Sequence, residues 1–408
     1  MLQASLLPLG NQEILTDCVY DFYGLRLAAS GVDSKIKIFR LNESTGEWAF
    51  EHEWKAHDAP ITKLSWAHPE HGSVIASASF DRTVKIWQEN PGQSTSSQSR
   101  WTEKAIMTGA RGSVRSIEFA PSVFGLKIAS IATDSLLRVY ECLEIYSASS
   151  WQLIEEIDVL TLGNPPNPPS PALASATPTH LPMNLEEGSP PYASSIHRPS
   201  TPTTLSSPIG SLSAPGGIAG SNREADSGWC LSWCKDKWQG EAIAVGAGPE
   251  AVIKIVSLPP APQSPILLAT LKHTSSDLRD KDYPVSCVSW APTAGRSYHL
   301  IATGSKDTYV RIWKVSSKLN ANGQLASSGD ETSEEWEVRQ VGEFEDHKSN
   351  VARLEWNITG TVLSSAGDDG QIRLWKSISN IWQRIGSFNT HHAVEEVLDN
   401  QDDVMQSI

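Results

Sequence analysis

The sequence predicts an all-β protein assembled from six copies of a four-stranded sheet, and three observations predict it. One short pattern recurs six times in the 408 residues: an acidic residue, then a six-residue step ending on an aromatic or apolar side chain. Within each copy, β-branched and aromatic residues alternate with polar ones at period two, as in a half-buried strand. The chain also carries 15 tryptophans against 8 phenylalanines, and the tryptophans fall at matching places in successive copies.

The six copies are DSKIKIF (Asp33 to Phe39), DRTVKIW (Asp81 to Trp87), DSLLRVY (Asp134 to Tyr140), EAVIKIV (Glu250 to Val256), DTYVRIW (Asp307 to Trp313) and DGQIRLW (Asp369 to Trp375). Just upstream lies a strand of small residues, such as VIASAS, LIATGS or VLSSAG. Further upstream is another, ending near YDF, LSWAH, IEFAP, LSWCK, VSWAP or LEWNI. A fourth strand follows the acidic pattern, and in five units it opens with tryptophan: Trp48, Trp101, Trp151, Trp336 and Trp382. The acidic positions are 48, 53, 116, 57 and 62 residues apart. Apart from the long interval, these match the ~40 to 45 residues of a β-propeller blade of the WD type, lengthened by loops.

Unit two carries His57, Ser77, Asp81 and Trp87, and unit six carries His347, Ser365, Asp369 and Trp375. On these residues the repeats resemble the WD-repeat families, in which the four types form a buried hydrogen-bond chain that staples a blade. The chemistry is sound, because a buried aspartate needs donors and an indole N–H needs an acceptor. Unit five keeps Thr303, Asp307 and Trp313 without the histidine, and unit three keeps Ser130 and Asp134. Unit four, with Glu250 and Val256, is the most degenerate.

Residues 1–160 are thus expected to form blades one to three and 227–390 blades four to six. Residues 161–226 fill the long interval. From Gly163 to Gly216 there are 13 prolines of the chain's 25, mixed with Ser, Thr, Ala and Gly. That composition predicts a disordered loop between blades, with too little apolar surface to offset chain entropy. Its Ser-Pro and Thr-Pro steps at Ser170, Thr177, Ser189, Thr201 and Ser207 are candidate targets of proline-directed kinases. Residues 391–408 are expected to be an acidic tail.

The last unit owns its outer strand, IWQRIGSF (Ile381 to Phe388), and the segment before Asn11 is short and proline-broken. Two arrangements therefore stay open. The ring closes with six blades, or it leaves a gap whose two sheet edges another chain covers by strand addition.

The stretches YDFYGLRLAASGVDSKIKIF, SWAHPEHGSVIASASFDRTVKIW, FAPSVFGLKIAS, APTAGRSYHLIA and WNITGTVLSSAGDDGQIRLW resemble one branch of the WD-repeat proteins, the Sec-thirteen-homologue (SEH) nucleoporins. The likeness touches every blade except the fourth and omits the proline-rich segment. It implies a non-catalytic scaffold of the Y-shaped complex of the nuclear pore at the nuclear envelope. It also implies an open six-bladed propeller completed in trans by a blade from an α-helical nucleoporin. A further implication is a place in a coat-like complex on the vacuolar or lysosomal membrane that regulates TOR nutrient signalling. The alternative is the related cage protein of the COPII outer coat, against which WNITGTVLSSAGDDG argues. By position, a partner's blade would dock on Ile14, Cys18 and Tyr20 of blade one and on Trp382, Ile385 and Phe388 of blade six.

Composition narrows the alternatives. Hydrophobic residues make up 39%, enough for a large core. A net charge of −14 argues against broad binding to nucleic acid or anionic lipid. Five scattered cysteines without a C-x-x-C pair indicate neither a disulfide framework nor zinc. With no secretory signal and no apolar run of ~20 residues, a soluble protein of a reducing intracellular compartment is expected. Cys230 and Cys234 read as buried hydrophobes, His391 and His392 as surface residues, and GAGPEA (Gly246 to Ala251) as a tight turn lacking the lysine of a phosphate loop. Glu51, Glu53, Asp58 and Glu70 read as surface charge, without the opposed pair a glycosidase needs. An enzyme, or a ligase substrate receptor, lacks a convergent set of titratable groups, and no catalytic residue, metal or cofactor is expected.

Overall fold

The acid that recurs in the sequence makes a turn. In five of the six units its carboxylate accepts the backbone N–H two residues on: Lys35 to Asp33, Thr83 to Asp81, Leu136 to Asp134, Tyr309 to Asp307 and Gln371 to Asp369, at 3.0 to 3.1 Å. The residue between is left-handed each time, with φ of 64° at Ser34, 70° at Arg82, 64° at Ser135 and 75° at Thr308; only unit six uses a glycine, Gly370. A side chain in that region costs ~1–2 kcal/mol. The carboxylate bond and the hairpin it closes offset that cost, so the acid is retained where the glycine is not.

A computed structural model describes residues 7, 14–94, 97, 99–163, 228–237, 240–248, 251–260, 262–272, 283–317 and 336–389. Its contacts divide the chain into two units, 1–163 with 222–408, and 164–221. The second unit lies outside the described residues, as do the acidic tail, His391, His392 and Glu250.

Blade 1 comprises β1 (Leu15–Tyr20), β2 (Arg26–Gly31), β3 (Lys35–Leu41) and β4 (Trp48–Lys55). Blade 2 comprises β5 (Ile61–Trp66), β6 (Val74–Ser79), β7 (Val84–Glu89) and β8 (Trp101–Met107). Blade 3 comprises β9 (Val114–Phe119), β10 (Lys127–Ala132), β11 (Leu136–Cys142) and β12 (Trp151–Asp158). Blade 4 comprises β13 (Cys230–Trp233), β14 (Ala242–Gly246), β15 (Val252–Ser257) and β16 (Ile266–Lys272). Blade 5 comprises β17 (Val285–Trp290), β18 (His299–Ser305), β19 (Val310–Ser317) and β20 (Trp336–Phe344). Blade 6 comprises β21 (Val351–Trp356), β22 (Val362–Gly367), β23 (Gln371–Ile378) and β24 (Ile381–Asn389).

Each sheet is four consecutive strands, all antiparallel, so among the described residues no blade borrows a strand from elsewhere in the chain. The first strands of all six surround one cavity of about 700 Å³, which makes the described fold a six-bladed β-propeller. Every outer strand carries a bulge at the same place, opposite Ile38/Phe39, Ile86/Trp87, Val139/Tyr140, Ile255/Val256, Ile312/Trp313 and Leu374/Trp375. A bulge adds one residue and reverses which face the following side chains point to.

Blades are joined by apolar cores between neighbouring sheets. Ile36 and Ile38 of blade 1 meet Ile61, Leu64 and Ile75 of blade 2, and corresponding clusters join blades 2 and 3, 3 and 4, 4 and 5, and 5 and 6. Tryptophans tie the first strands together as well. The indole N–H of Trp66 donates to the Val19 carbonyl (3.1 Å), Trp233 to Glu118 (3.0 Å) and Trp356 to Ser289 (3.0 Å). Burying the indole while satisfying its one donor explains why tryptophan recurs there. Among the described residues, no such core joins blade 6 to blade 1.

Candidate functional site: the staples and the two end faces

In blade 2 the donors run in one direction. Trp87 Nε1–H donates to Ser77 Oγ (2.9 Å), and Ser77 Oγ lies 2.7 Å from His57 Nε2. His57 Nδ1 lies 2.8 Å from Asp81, which also accepts the Thr83 hydroxyl at 2.6 Å. With the histidine neutral and its proton on Nδ1, every donor in the series has an acceptor. Burial pulls the His57 pKa below its ordinary value against the pull of Asp81. Burial works to raise Asp81, but the bonds from Thr83 and His57 prevail and hold its carboxyl below the usual range.

Blade 6 repeats the arrangement. Trp375 Nε1 to Ser365 is 2.8 Å, Ser365 to His347 Nε2 2.8 Å, and His347 Nδ1 to Asp369 3.2 Å; Arg373 closes on Asp369 at 2.9 Å. Burial lowers His347 too, and the backbone and side-chain donors around Asp369 outweigh its burial and bring it down to about 2. In blade 5 Trp313 donates to Thr303 (2.9 Å), while Arg311 pairs with Asp307 at 2.7 Å where the histidine is missing. Blade 3 uses the same substitute, Arg138 on Asp134 at 2.8 Å, with Arg138 almost fully buried. Spacing alone gave no sign of this arginine; the recurring K/R between the two apolar residues of DTYVRIW and DSLLRVY was the available signal.

The groups weighed for chemistry are occupied structurally. Cys230 and Cys234 are buried, and burial pushes the Cys234 thiol up to about 12 and Cys230 higher. Such thiols are poor nucleophiles. Glu51 is not surface charge, its side chain being 7% exposed between Arg40 and Arg100, whereas Glu53 with Lys35, Asp58 with Lys55, and Glu70 beside a His71 that burial keeps below its ordinary pKa are on the surface. Gly246 to Gly248 end β14 and turn, with φ of 78° at Gly248.

What distinguishes the six blades is the fate of the two apolar residues in each third strand. They face the next blade. Ile36, Ile38, Val84, Ile86, Leu137, Val139, Ile253, Ile255, Val310 and Ile312 are 0 to 2% exposed. Their equivalents in blade 6, Ile372 and Leu374, are only half-buried. The second strands agree: Ala76 and Ala78 are fully buried, whereas Ser364 and Ala366 in the same places are not. Phe388 lies beside Ile372 in register on this face, and Gly386 beside Leu374.

Blade 1 presents the opposite face. Cys18 and Tyr20 are exposed on β1, and Tyr20 packs on Trp48 with ring centroids 5.7 Å apart. Beneath them Leu27, Ala29 and Phe39 form a small cluster with Leu7, Leu15 and Trp48, and Phe50, half exposed, lies edge-on to Phe39. Ile14 is 71% exposed while its carbonyl accepts the Val32 N–H. Between the two faces runs an ion pair, Arg353 of β21 with Asp17 of β1, in place of the strand-to-strand packing found at the other five junctions.

Of the six residues expected at a docking face, Ile14, Cys18, Tyr20, Ile385 and Phe388 lie on or beside these end faces. Trp382 does not. It packs toward blade 5, against Trp356 at 5.7 Å, because it precedes the outer-strand bulge that turns Phe388 to the other side. Ile372, Leu374, Trp48 and Phe50 belong to the faces and were not singled out for them. Counting the apolar pair across all six units, against five available neighbours, is the signal that finds the first two.

Comparison with known proteins agrees with this architecture. The WD domain, G-beta repeat family matches residues 48–88, 268–314 and 338–376. The chain is 33% identical over 398 residues to Nucleoporin SEH1 of Saccharomyces cerevisiae, covering 90% of this chain and 94% of that protein. It is 30% identical over 404 residues to Nucleoporin seh1 of Schizosaccharomyces pombe, covering 94% and 96%. It is 29% identical over 386 residues to Nucleoporin SEH1 of Homo sapiens, covering 92% and 85%. With six WD-type blades, two complete staples and identity of this extent over nearly the whole length, the chain belongs to the SEH1 nucleoporin family.

Proposed function

We propose that the protein is a non-catalytic scaffold subunit of the Y-shaped complex of the nuclear pore, and that its blade 6 and blade 1 faces receive a β-sheet supplied by an α-helical nucleoporin. The observation that carries the second part is the partial exposure of Ile372 and Leu374, at positions buried in every other blade. A propeller with two apolar faces that no described residue covers presents the surface that an added sheet buries. Family membership supports the first part. A coat-like complex of the vacuolar or lysosomal membrane would use the same faces, so one variant addresses both assemblies.

The test is affinity purification of the tagged full chain at native salt, with Leu374→Asp in parallel. Stoichiometric recovery of large helical nucleoporins with the wild type, and their loss with Leu374→Asp, is the expected result. Unchanged recovery with the folded variant would refute the docking face, and recovery of vesicle-coat subunits alone would favour the coat-cage reading.

A further inference from the structure

A cleft of about 740 Å³ opens between blades 5 and 6 near their outer strands. Four cations line it, Arg296, Lys314, Arg339 and Lys376, with Tyr298 and Trp382 as aromatic walls; no described Asp or Glu does so, in a chain of net charge −14. Two of the cations are directly opposite one another, since Lys314 of β19 pairs in register with Arg339 of β20. Like charges at such positions destabilise a sheet.

Lys35 of β3 stands opposite Lys55 of β4 in the same way, but each of these has a carboxylate beside it, Glu53 at 2.8 Å and Asp58 at 3.1 Å. A basic residue of the third strand meets an acid of the fourth in Lys35–Glu53 (2.8 Å), Lys85–Glu103 (2.9 Å), Arg138–Glu156 (2.8 Å) and Arg311–Glu343 (2.9 Å). The last of these lies on the very strands that carry Lys314 and Arg339, so an acid was accessible to this sheet and stands elsewhere. Arg296 is held in place by two carbonyls, those of Gly360 (2.8 Å) and Pro292 (2.6 Å), which leaves its Nε buried without an acceptor. Burial pulls its pKa below the ordinary value, against a weaker opposing pull from the Tyr298 phenol. Lys314 Nζ stands 4.2 Å from the centroid of the Tyr298 ring, an attraction that positions the ammonium without neutralising it.

We propose that this cleft binds a compact ligand bearing phosphomonoester groups. A carboxylate supplies one charge, whereas a phosphomonoester carries about −1.5 to −2 and three acceptor oxygens, a better match to a lining with four cations and no described acid. The Arg339 guanidinium can take two of those oxygens side by side, and the lysines act as point charges beside it. Thr361, Ser377 and Asn380 in the lining provide neutral donors at the rim. The ester can come from a soluble inositol polyphosphate or from a phosphorylated side chain of another protein, and the two are separated by experiment.

The full chain is titrated at fixed ionic strength with myo-inositol hexakisphosphate and, separately, with a phosphoserine peptide and its unphosphorylated twin, following melting temperature and binding heat. Saturable binding of either phosphate probe supports the site, and which one binds identifies the source. Lys314→Gln and Arg339→Gln each weaken it about tenfold, the size of one charge-assisted hydrogen bond. Lys272→Gln, a surface lysine of blade 4, leaves it unchanged. Arg339→Glu raises the melting temperature of the ligand-free chain, because it replaces a like pair by a Lys–Glu pair, and abolishes the response to ligand. No saturable response to either probe overturns the proposal, as does an equal loss with Lys272→Gln.

Discussion

Truncating Ile312 and Leu374 to alanine in parallel isolates what a neighbouring blade contributes. The two residues hold the same place in blades 5 and 6 and have the same volume. Ile312 is fully buried and belongs to the core that includes Leu354, Leu363 and Trp375 of blade 6. Its truncation removes apolar contact on both sides and leaves a cavity, at a cost of about 3 kcal/mol within the usual range of ~2 to 5. Leu374 has Phe388 and Gly386 near it on its own sheet and, among the described residues, belongs to no core shared with a second blade. Without an enclosed cavity to create, its truncation costs only part of the transfer term, about 1 kcal/mol. Urea unfolding of the purified chain, read by tryptophan fluorescence, should therefore separate the variants by about 2 kcal/mol, whereas partner affinity should fall about tenfold for Leu374→Ala and stay unchanged for a folded Ile312→Ala. Equal destabilisation in the isolated chain would refute the reasoning, because it would mean that this chain covers its own end face.

Other expectations follow from the staples and the thiols. Ser77→Ala strands the Trp87 indole N–H and His57 Nε2 in a buried place and should cost about 2 to 4 kcal/mol in the same urea assay; a loss under about 1 would show that the chain of bonds adds little to packing. His57 and His347 are held below the ordinary histidine value of 6.5, so each folds neutral and is protonated first in the unfolded chain. Their contribution is complete above pH 6.5 and lost as pH falls below it, with a slope of up to about 1.4 kcal/mol per pH unit for each, and a flat urea midpoint from pH 7 to 5 would contradict this. Burial raises the pKa of all three thiols, Cys18 included, but Cys18 is exposed while Cys230 and Cys234 are buried, so iodoacetamide at pH 8.5 should label Cys18 first by mass spectrometry, and a bound partner should slow that labelling.

The sequence made the repeat legible because each turn is local. Asp81 and Thr83 lie two residues apart, and their bond needs nothing from the rest of the chain. The staples were legible for a related reason, since a buried His, Ser, Asp and Trp at fixed spacing have few other ways to satisfy one another. The faces were harder to read. Period two distinguishes the sides of a strand, but the bulge beside Leu374 reverses the sides partway along β24, so Trp382, before it, turns toward blade 5 while Phe388, after it, turns to the end face. The opposition of Lys314 and Arg339 was hidden as well, because they are 25 positions apart and only the register of β19 on β20 brings them together.

Because every blade is completed by strands adjacent in the chain, a nascent polypeptide can finish each one as it emerges from the ribosome. Propellers that build their last blade partly from their first strand must hold that strand unpaired until synthesis ends. Here no first strand has to wait, so among the described residues each sheet's hydrogen bonding is complete as soon as its own four strands have been made.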